Sequence, residues 1–361
     1  MKSMTGRNRR YKNLFFAFSL VAALPFFPVQ AAQKADSSID KKQMFKVSGV
    51  RRLNSTTAEI IFSGGRRMTI DFYGENIFRM FRDDAGGIIR DPQAIPEAQI
   101  LVDEPRRPVS RLDLSESGGT ITLATQRIRV EIDKETSLMK ITDLRTNRPV
   151  VEETVPVSIE EGSVTVTLKE HPGEYFYGGG VQNGRFSHKG KAISIENQNS
   201  WTDGGVASPT PFYWSTNGYG VMFYTFKKGR YDFGAETPGV VRLSHESPYL
   251  DLFYMVNDGA VPLLNDFYQL TGNPVLIPKF GFYEGHLNAY NRDFWKEDEK
   301  GILFEDGKRY KESQKDNGGI KESLNGEKDN YQFSARAVID RYKKHDMPLG
   351  WLLPNDGYGA G

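Results

Sequence analysis

Between Gln43 and Asp258 apolar residues recur at every second position in short runs, and this period constrains the fold more than any other feature of the chain. Ile128, Val130 and Ile132 alternate with Arg127, Arg129, Glu131 and Asp133; Val164, Val166 and Leu168 repeat the pattern. Side chains two apart share one face of a pleated strand, so each run offers an apolar face to a core and a polar face to water. Turn signals separate the runs. The clearest is Asn217-Gly218, set between "PFYW" and "VMFYTF", a strong hairpin signal because glycine accepts a positive φ. No helical period competes, so residues 43–260 are predicted to be an antiparallel β-sandwich.

The pattern changes at Val261. Pro262 suits a first helical position, Leu263, Leu264, Phe267 and Leu270 line one face, and Gly272 ends the run, which predicts a linker helix within 261–273. Pro274 and Pro278 then lead into "KFGFY", expected as a buried strand. Ser334 is placed as an N-cap before Ala335, Val338, Ile339 and Tyr342 at helical spacing, and Leu349–Leu353 reads as a second strand. Strand, helix and strand form the repeating unit of α/β folds, assigned here to 274–361. Residues 292–330 are densely charged with both signs mixed and hold few apolar side chains, so they read as a surface insertion in that unit.

Residues 1–31 read as a signal peptide. Lys2, Arg7, Arg9, Arg10 and Lys12 precede the apolar "LFFAFSLVAALPFF", and "VQA" ending at Ala31 supplies small residues for cleavage. The apolar run falls short of the roughly 20 residues of a membrane span. A periplasmic or secreted protein is expected, with 32–42 as a linker and no stable membrane anchor after cleavage. A net charge of +1 gives no electrostatic pull towards nucleic acid. The absence of cysteine excludes disulfides, thiolate metal sites and a cysteine nucleophile, and the five histidines show no ligand spacing. No cofactor and no metal are expected.

Several stretches could carry chemistry. "YFYGGGVQNG" (Tyr175–Gly184) lacks the spacing of a phosphate loop, and its glycines instead let the backbone turn tightly beside an aromatic strand. "NQNSWTDGGVASPTPFYW" places Trp201, Asp203 and Trp214 together: aromatic faces with nearby carboxylates and amides suit sugar recognition, though aromatics in β-proteins more often serve the core. Glu284 and His286 alternate at the end of the first expected barrel strand and face the same way, suiting acid–base or, with a third ligand, metal chemistry. Asp356 follows the second strand, where α/β barrels hold functional residues; a helix-capping role is the structural alternative.

At "YQLTGNPVLIPKFGFYEGHLNAYNRD" (Tyr268–Asp293), after "GEYFYGGGVQNGRFSHKGK" and "PFYWSTNGYGVMFYTF", the chain resembles glycoside hydrolase family 31, which includes α-glucosidases, α-xylosidases, some α-galactosidases and dextran-active enzymes. "MPLGWLLPNDGYG" looks like that family's second barrel strand. The resemblance implies a galactose-mutarotase-like β-sandwich followed by the start of a (β/α)8 TIM barrel, and retaining hydrolysis of α-glucosides or α-galactosides, including dextran-like α-1,6-glucans. It also implies that both catalytic Asp residues come from later barrel strands, beyond residue 361, so that this chain alone is expected to be inactive. Asp356 matches the Asp that contacts the sugar in the −1 subsite, but Asn355-Asp356-Gly357 stands where the family has two Asp flanking an apolar residue, so either Asn355 or Asp356 could face the sugar. Trp201 and Asp203 match the sandwich loop that reaches over the barrel mouth, and Glu284 and His286 fall near the first-strand end. An oligosaccharide or polysaccharide is the expected partner. The alternatives are a non-catalytic secreted carbohydrate-binding β-sandwich and a structural module of the cell envelope; neither needs the strand–helix–strand unit.

Overall fold

A computed structural model describes residues 46–83, 99–200, 202–283, 294–304, 306–313 and 335–351. Two antiparallel sheets dominate. The first runs in the order β1 (Val47–Arg52), β2 (Thr57–Phe62), β3 (Arg67–Gly74), β4 (Ile77–Arg82), β17 (Leu250–Val256), β14 (Tyr219–Phe223), β13 (Val206–Ser215), β11 (Phe176–Gln182). The second runs β12 (Ala192–Ile195), β15 (Gly229–Phe233), β16 (Val240–His245), β10 (Ser163–Lys169), β9 (Arg148–Glu160), β8 (Met139–Asp143), β7 (Ile128–Asp133), β6 (Thr120–Ala124), β5 (Asp113–Ser117). Their inner faces share one apolar cluster that includes Ile60, Ile70, Val130, Val166, Phe176, Tyr213 and Leu243. This is the expected sandwich.

Burial follows coverage. In β7, Ile128, Val130 and Ile132 are buried while Arg129 and Glu131 are half-buried, because the outer face of the second sheet meets water. Strand β17 is buried at every position. Its outer face lies under helix α1 (Ala260–Thr271), whose Leu263 and Leu270 join Tyr73, Phe212, Met222, Phe253 and Met255 in a second cluster. Within the first sheet, the Arg79 guanidinium of β4 grips both carboxylate oxygens of Asp251 on β17 at 2.8 and 2.7 Å, both side chains buried. Burial opposes the Arg79 charge, but the Asp251 carboxylate outweighs it and raises the arginine's pKa.

The Asn217-Gly218 hairpin forms, joining β13 to β14 with Ser215 opposite Tyr219. Its loop is three residues: the Gly218 amide returns to Ser215 O at 3.1 Å, and Gly218 takes φ +94°. The positive φ at this position is one that glycine adopts without strain. Arg148 on β9 clamps it by donating to both Asn217 oxygens, while Asn217 Nδ2 donates to Val150 O at 2.7 Å.

Beyond α1 the structure departs from expectation. Lys279–Phe282 forms a single 3-10 turn, not a barrel strand. A strand needs a ladder partner, and among the described residues this segment is approached by 349–351: Trp351 Nε1 donates to Gly281 O at 3.2 Å, and a Cβ on Gly350 would lie 1.7 Å from Phe280 O. Residues 279–283 and 349–351 therefore lie side by side, and Leu352 and Leu353 of the second expected strand lie outside the described residues. Within 292–330, read from its charge as a surface insertion, the described residues make the hairpin β18 (Phe294–Leu303) and β19 (Arg309–Ser313). Tyr310 is buried in it, edge-on to Phe304, its hydroxyl donating to Asp306 at 2.7 Å, and Lys308 pairs with Glu297. The second helix, α2 (Ala335–Lys344), forms where it was expected. No helix among the described residues is long and apolar enough to cross a membrane, and the expected signal peptide lies outside those residues.

Candidate functional site

Strand β11 ends in the turn Asn183-Gly184-Arg185, and this turn clasps the polar loop that precedes β13. The Asn183 amide donates to Gly205 O at 3.0 Å, Gly204 N returns to Asn183 O at 2.9 Å, and Asn183 Nδ2 reaches Ser200 O at 2.6 Å. Gly184 has φ +66°, and a Cβ there would lie 2.8 Å from Asp203 Oδ1. The Asp203 carboxylate is exposed and packs over Gly184, whose positive φ favours glycine at this turn.

The triple glycine makes the surface beside this clasp. Tyr177 pairs with Trp214, but the register then slips, so that Gly178 faces Tyr213 and Gly180 faces Pro209. This is a β-bulge, with Gly178, Gly179 and Gly180 all at positive φ. Added Cβ atoms would lie 2.7 Å from Phe212 O, 2.5 Å from Ile193 Cδ1 and 2.1 Å from Ser208 O respectively. The expected role of these glycines, tight turning beside an aromatic strand, is what the bulge displays. It leaves bare backbone as one wall of a groove of about 510 Å³ that Tyr177, Trp214, Phe186, Arg185 and His188 also line. Tyr177 and Trp214 stack at 4.6 Å and 23°, and Phe186, 87% exposed, stands edge-on to Tyr177 at 5.6 Å.

His188 lies beneath the groove, buried, with Nε2 against Gly178 O at 2.9 Å and its ring over Phe233. Burial lowers its pKa, so the neutral ring with Nε2 protonated fits this contact. Arg185 donates to Ala192 O at 2.7 Å. Other ionisable groups serve the scaffold. Glu174 accepts from His171 N at 2.7 Å and from Ser215 Oγ, and burial raises its pKa. His245 bridges the Tyr231 hydroxyl and Lys227 O, both at 2.9 Å, and burial pushes its pKa down to about 4.

Of the residues singled out from sequence, Asp203 is described and sits on the clasp; Trp201, Glu284, His286, Asn355 and Asp356 lie outside the described residues. Trp214 belongs to β13 and faces the groove rather than the loop. Among the described residues no group of three or more His, Asp or Glu side chains is placed to hold a metal ion. Sequence reasoning passed over Tyr177, Arg185, Phe186 and His188. The available signal was the alternation in "YFYGGG", which puts Tyr177 opposite the core residue Phe176, and an isolated Phe186 within a polar turn.

Residues 67–232 match the family described as the glycosyl hydrolase 31 N-terminal galactose mutarotase-like domain. Two curated relatives are an alpha-xylosidase of Emericella nidulans, 30% identical over 123 residues, and alpha-xylosidase XylQ of Lactiplantibacillus pentosus, 29% identical over 129 residues. Each match covers 34% of this chain, and the chain spans 16% of the length of each relative. The fold is similar to that of a Flavobacterium johnsoniae GH31 dextranase (TM-score 0.60, 14% identity), covering 68% of this chain and 30% of the dextranase. It is also similar to a GH31 alpha-xylosidase from a soil metagenome (TM-score 0.53, 17% identity), covering 65% of this chain and 36% of that enzyme.

Proposed function

We propose that this chain, which carries the N-terminal galactose mutarotase-like domain of glycosyl hydrolase family 31, is the front part of an exported, retaining α-glycoside hydrolase. The observation that carries this reading is the coincidence of the family domain, residues 67–232, with the clasped loop that presents Asp203 at the rim of the sandwich. The sandwich and α1 serve as scaffold, and 274–361 opens a (β/α)8 barrel. Retaining hydrolysis needs two carboxyl groups about 5–5.5 Å apart, one as nucleophile and one as acid/base. These come from later barrel strands, outside the 361 residues, and the chain alone is inactive. Asp203 and Trp201 contact the sugar from above, Asp356 or Asn355 takes its hydroxyls in the −1 subsite, and Glu284 and His286 border the first strand. The substrates are α-linked pyranosides: α-glucosides, α-galactosides and α-1,6-glucans. The names of the curated relatives add α-xylosides. After signal cleavage near Ala31 the protein works in the periplasm or outside the cell.

The test uses the enzyme extended through a complete barrel. Asp203→Ala should lower kcat/KM on an aryl α-glycoside by tenfold or more, since a charge-assisted hydrogen bond to a hydroxyl contributes about 1.5–3 kcal/mol. Unchanged kinetics would remove the sandwich loop from the site.

A further inference from the structure

We propose that the groove beside β11 is a second carbohydrate site, separate from the one Asp203 serves, and that it takes a neutral pyranose ring of an oligosaccharide against Tyr177 and Phe186. The choice of sugar rests on the α-glycosidase reading; the groove itself does not. Its chemistry is amphipathic. Aromatic side chains supply flat apolar surface that suits the C–H face of a pyranose, while the bare backbone of the glycine bulge and the Arg185 guanidinium border it with polar groups. Among the described residues no carboxylate lines it, and Arg185 Nη1 donates to Ala192 O while its other N–H groups border the groove.

A second observation points to a ligand. His188, 2% exposed, has Nδ1 buried without a hydrogen-bond partner among the described residues, although Nε2 is satisfied by Gly178 O. Buried polar atoms are ordinarily paired. A sugar hydroxyl entering between Phe186 and the bulge, with a small shift of the wall, gives that nitrogen its donor. The stacked Tyr177–Trp214 pair offers the ring a flat aromatic surface that is already formed.

The experiment uses the whole 361-residue chain, so that loss of catalytic activity cannot mask the result. Isomaltotriose and a xyloglucan oligosaccharide are titrated separately, with binding followed by calorimetry and by quenching of tryptophan fluorescence. Saturable binding of at least one sugar is expected, weakened about tenfold or more by Phe186→Ala and by Tyr177→Ala. Phe186 is exposed, so its replacement leaves the fold intact, which circular dichroism verifies. The proposal is overturned if neither sugar binds at 10 mM (about 2.7 kcal/mol in the same arithmetic), or if binding survives both aromatic substitutions. It is equally overturned if Phe186 is covered by the rest of an extended enzyme and sugar leaves its protection from labelling unchanged.

Discussion

Glu153 carries a carboxyl group into the core of the sandwich, and its replacement by Gln should change how stability depends on pH. The side chain projects from β9 near Tyr254 of β17; Met139 N donates to Oε2 at 2.9 Å, and Oε1 has no partner among the described residues. Burial raises its pKa from 4.5 to about 8, more than the Met139 amide and the Arg82 charge lower it. Folded protein therefore holds a proton between these values that the unfolded chain has released. Because the folded-state pKa is the higher one, the stabilisation is complete below about pH 4.5 and is lost as pH rises through about 8. At about 1.4 kcal/mol per unit, the loss across this window is about 3–5 kcal/mol. Glu153→Gln keeps an oxygen for Met139 N and removes the titration. Urea unfolding of both proteins, followed by tryptophan fluorescence at pH 5, 6, 7, 8 and 9, should show the variant gaining on the wild type by about 1 kcal/mol per unit until about pH 8, then running parallel. The slope, not any constant offset introduced by the amide, carries the test. A difference independent of pH would refute the buried neutral acid, and so would a variant that loses ground as pH rises.

His245 shifts the opposite way: its folded pKa, near 4, lies below the ordinary 6.5, so His245→Gln should abolish a loss of about 2–3 kcal/mol that the wild type suffers as pH falls from about 6.5 to about 4, seen in the same titration. Gly180→Ala forces a Cβ to within 2.1 Å of Ser208 O at φ +77° and should cost about 2–4 kcal/mol in urea unfolding. Gly218→Val meets looser surroundings and should cost about 1–2 kcal/mol, with faster amide exchange confined at first to the β13–β14 hairpin. Asp251→Ala leaves the Arg79 charge buried without its main counter-ion and should cost about 3–5 kcal/mol, whereas the double change Arg79→Met, Asp251→Leu should cost much less by the same assay.

Where one face of a strand meets water and the other meets the core, the fold was legible from sequence: β7 and β10 alternate as their residues dictate, and the Asn217-Gly218 hairpin stands where its glycine puts it. Features set by distant contacts were not. Strand β17 is buried on both faces, its outer one under α1, and Arg79 meets a partner 172 residues away, which no local pattern reports. "KFGFY" has the composition of a strand, yet forms a turn, because strand structure depends on a neighbour and not on composition alone. In 294–313 the charges concealed a hairpin whose cohesion comes from Tyr310, Phe304 and cross-strand ion pairing. At the candidate site Asp203 could be named from its loop, but the clasp of that loop by Asn183 emerged only from the pairing of two segments across the sheet edge.

The most direct test of the α-glycosidase reading is a paired assay on aryl α-xyloside, α-glucoside and α-galactoside. One sample is the 361-residue chain; the other is the same chain continued through a complete barrel. The extended protein should release the sugar with its α-anomer retained, as proton NMR shows at early times, while the short chain stays at the buffer blank. Turnover by the purified short chain, or an inverted product from the long one, would contradict it.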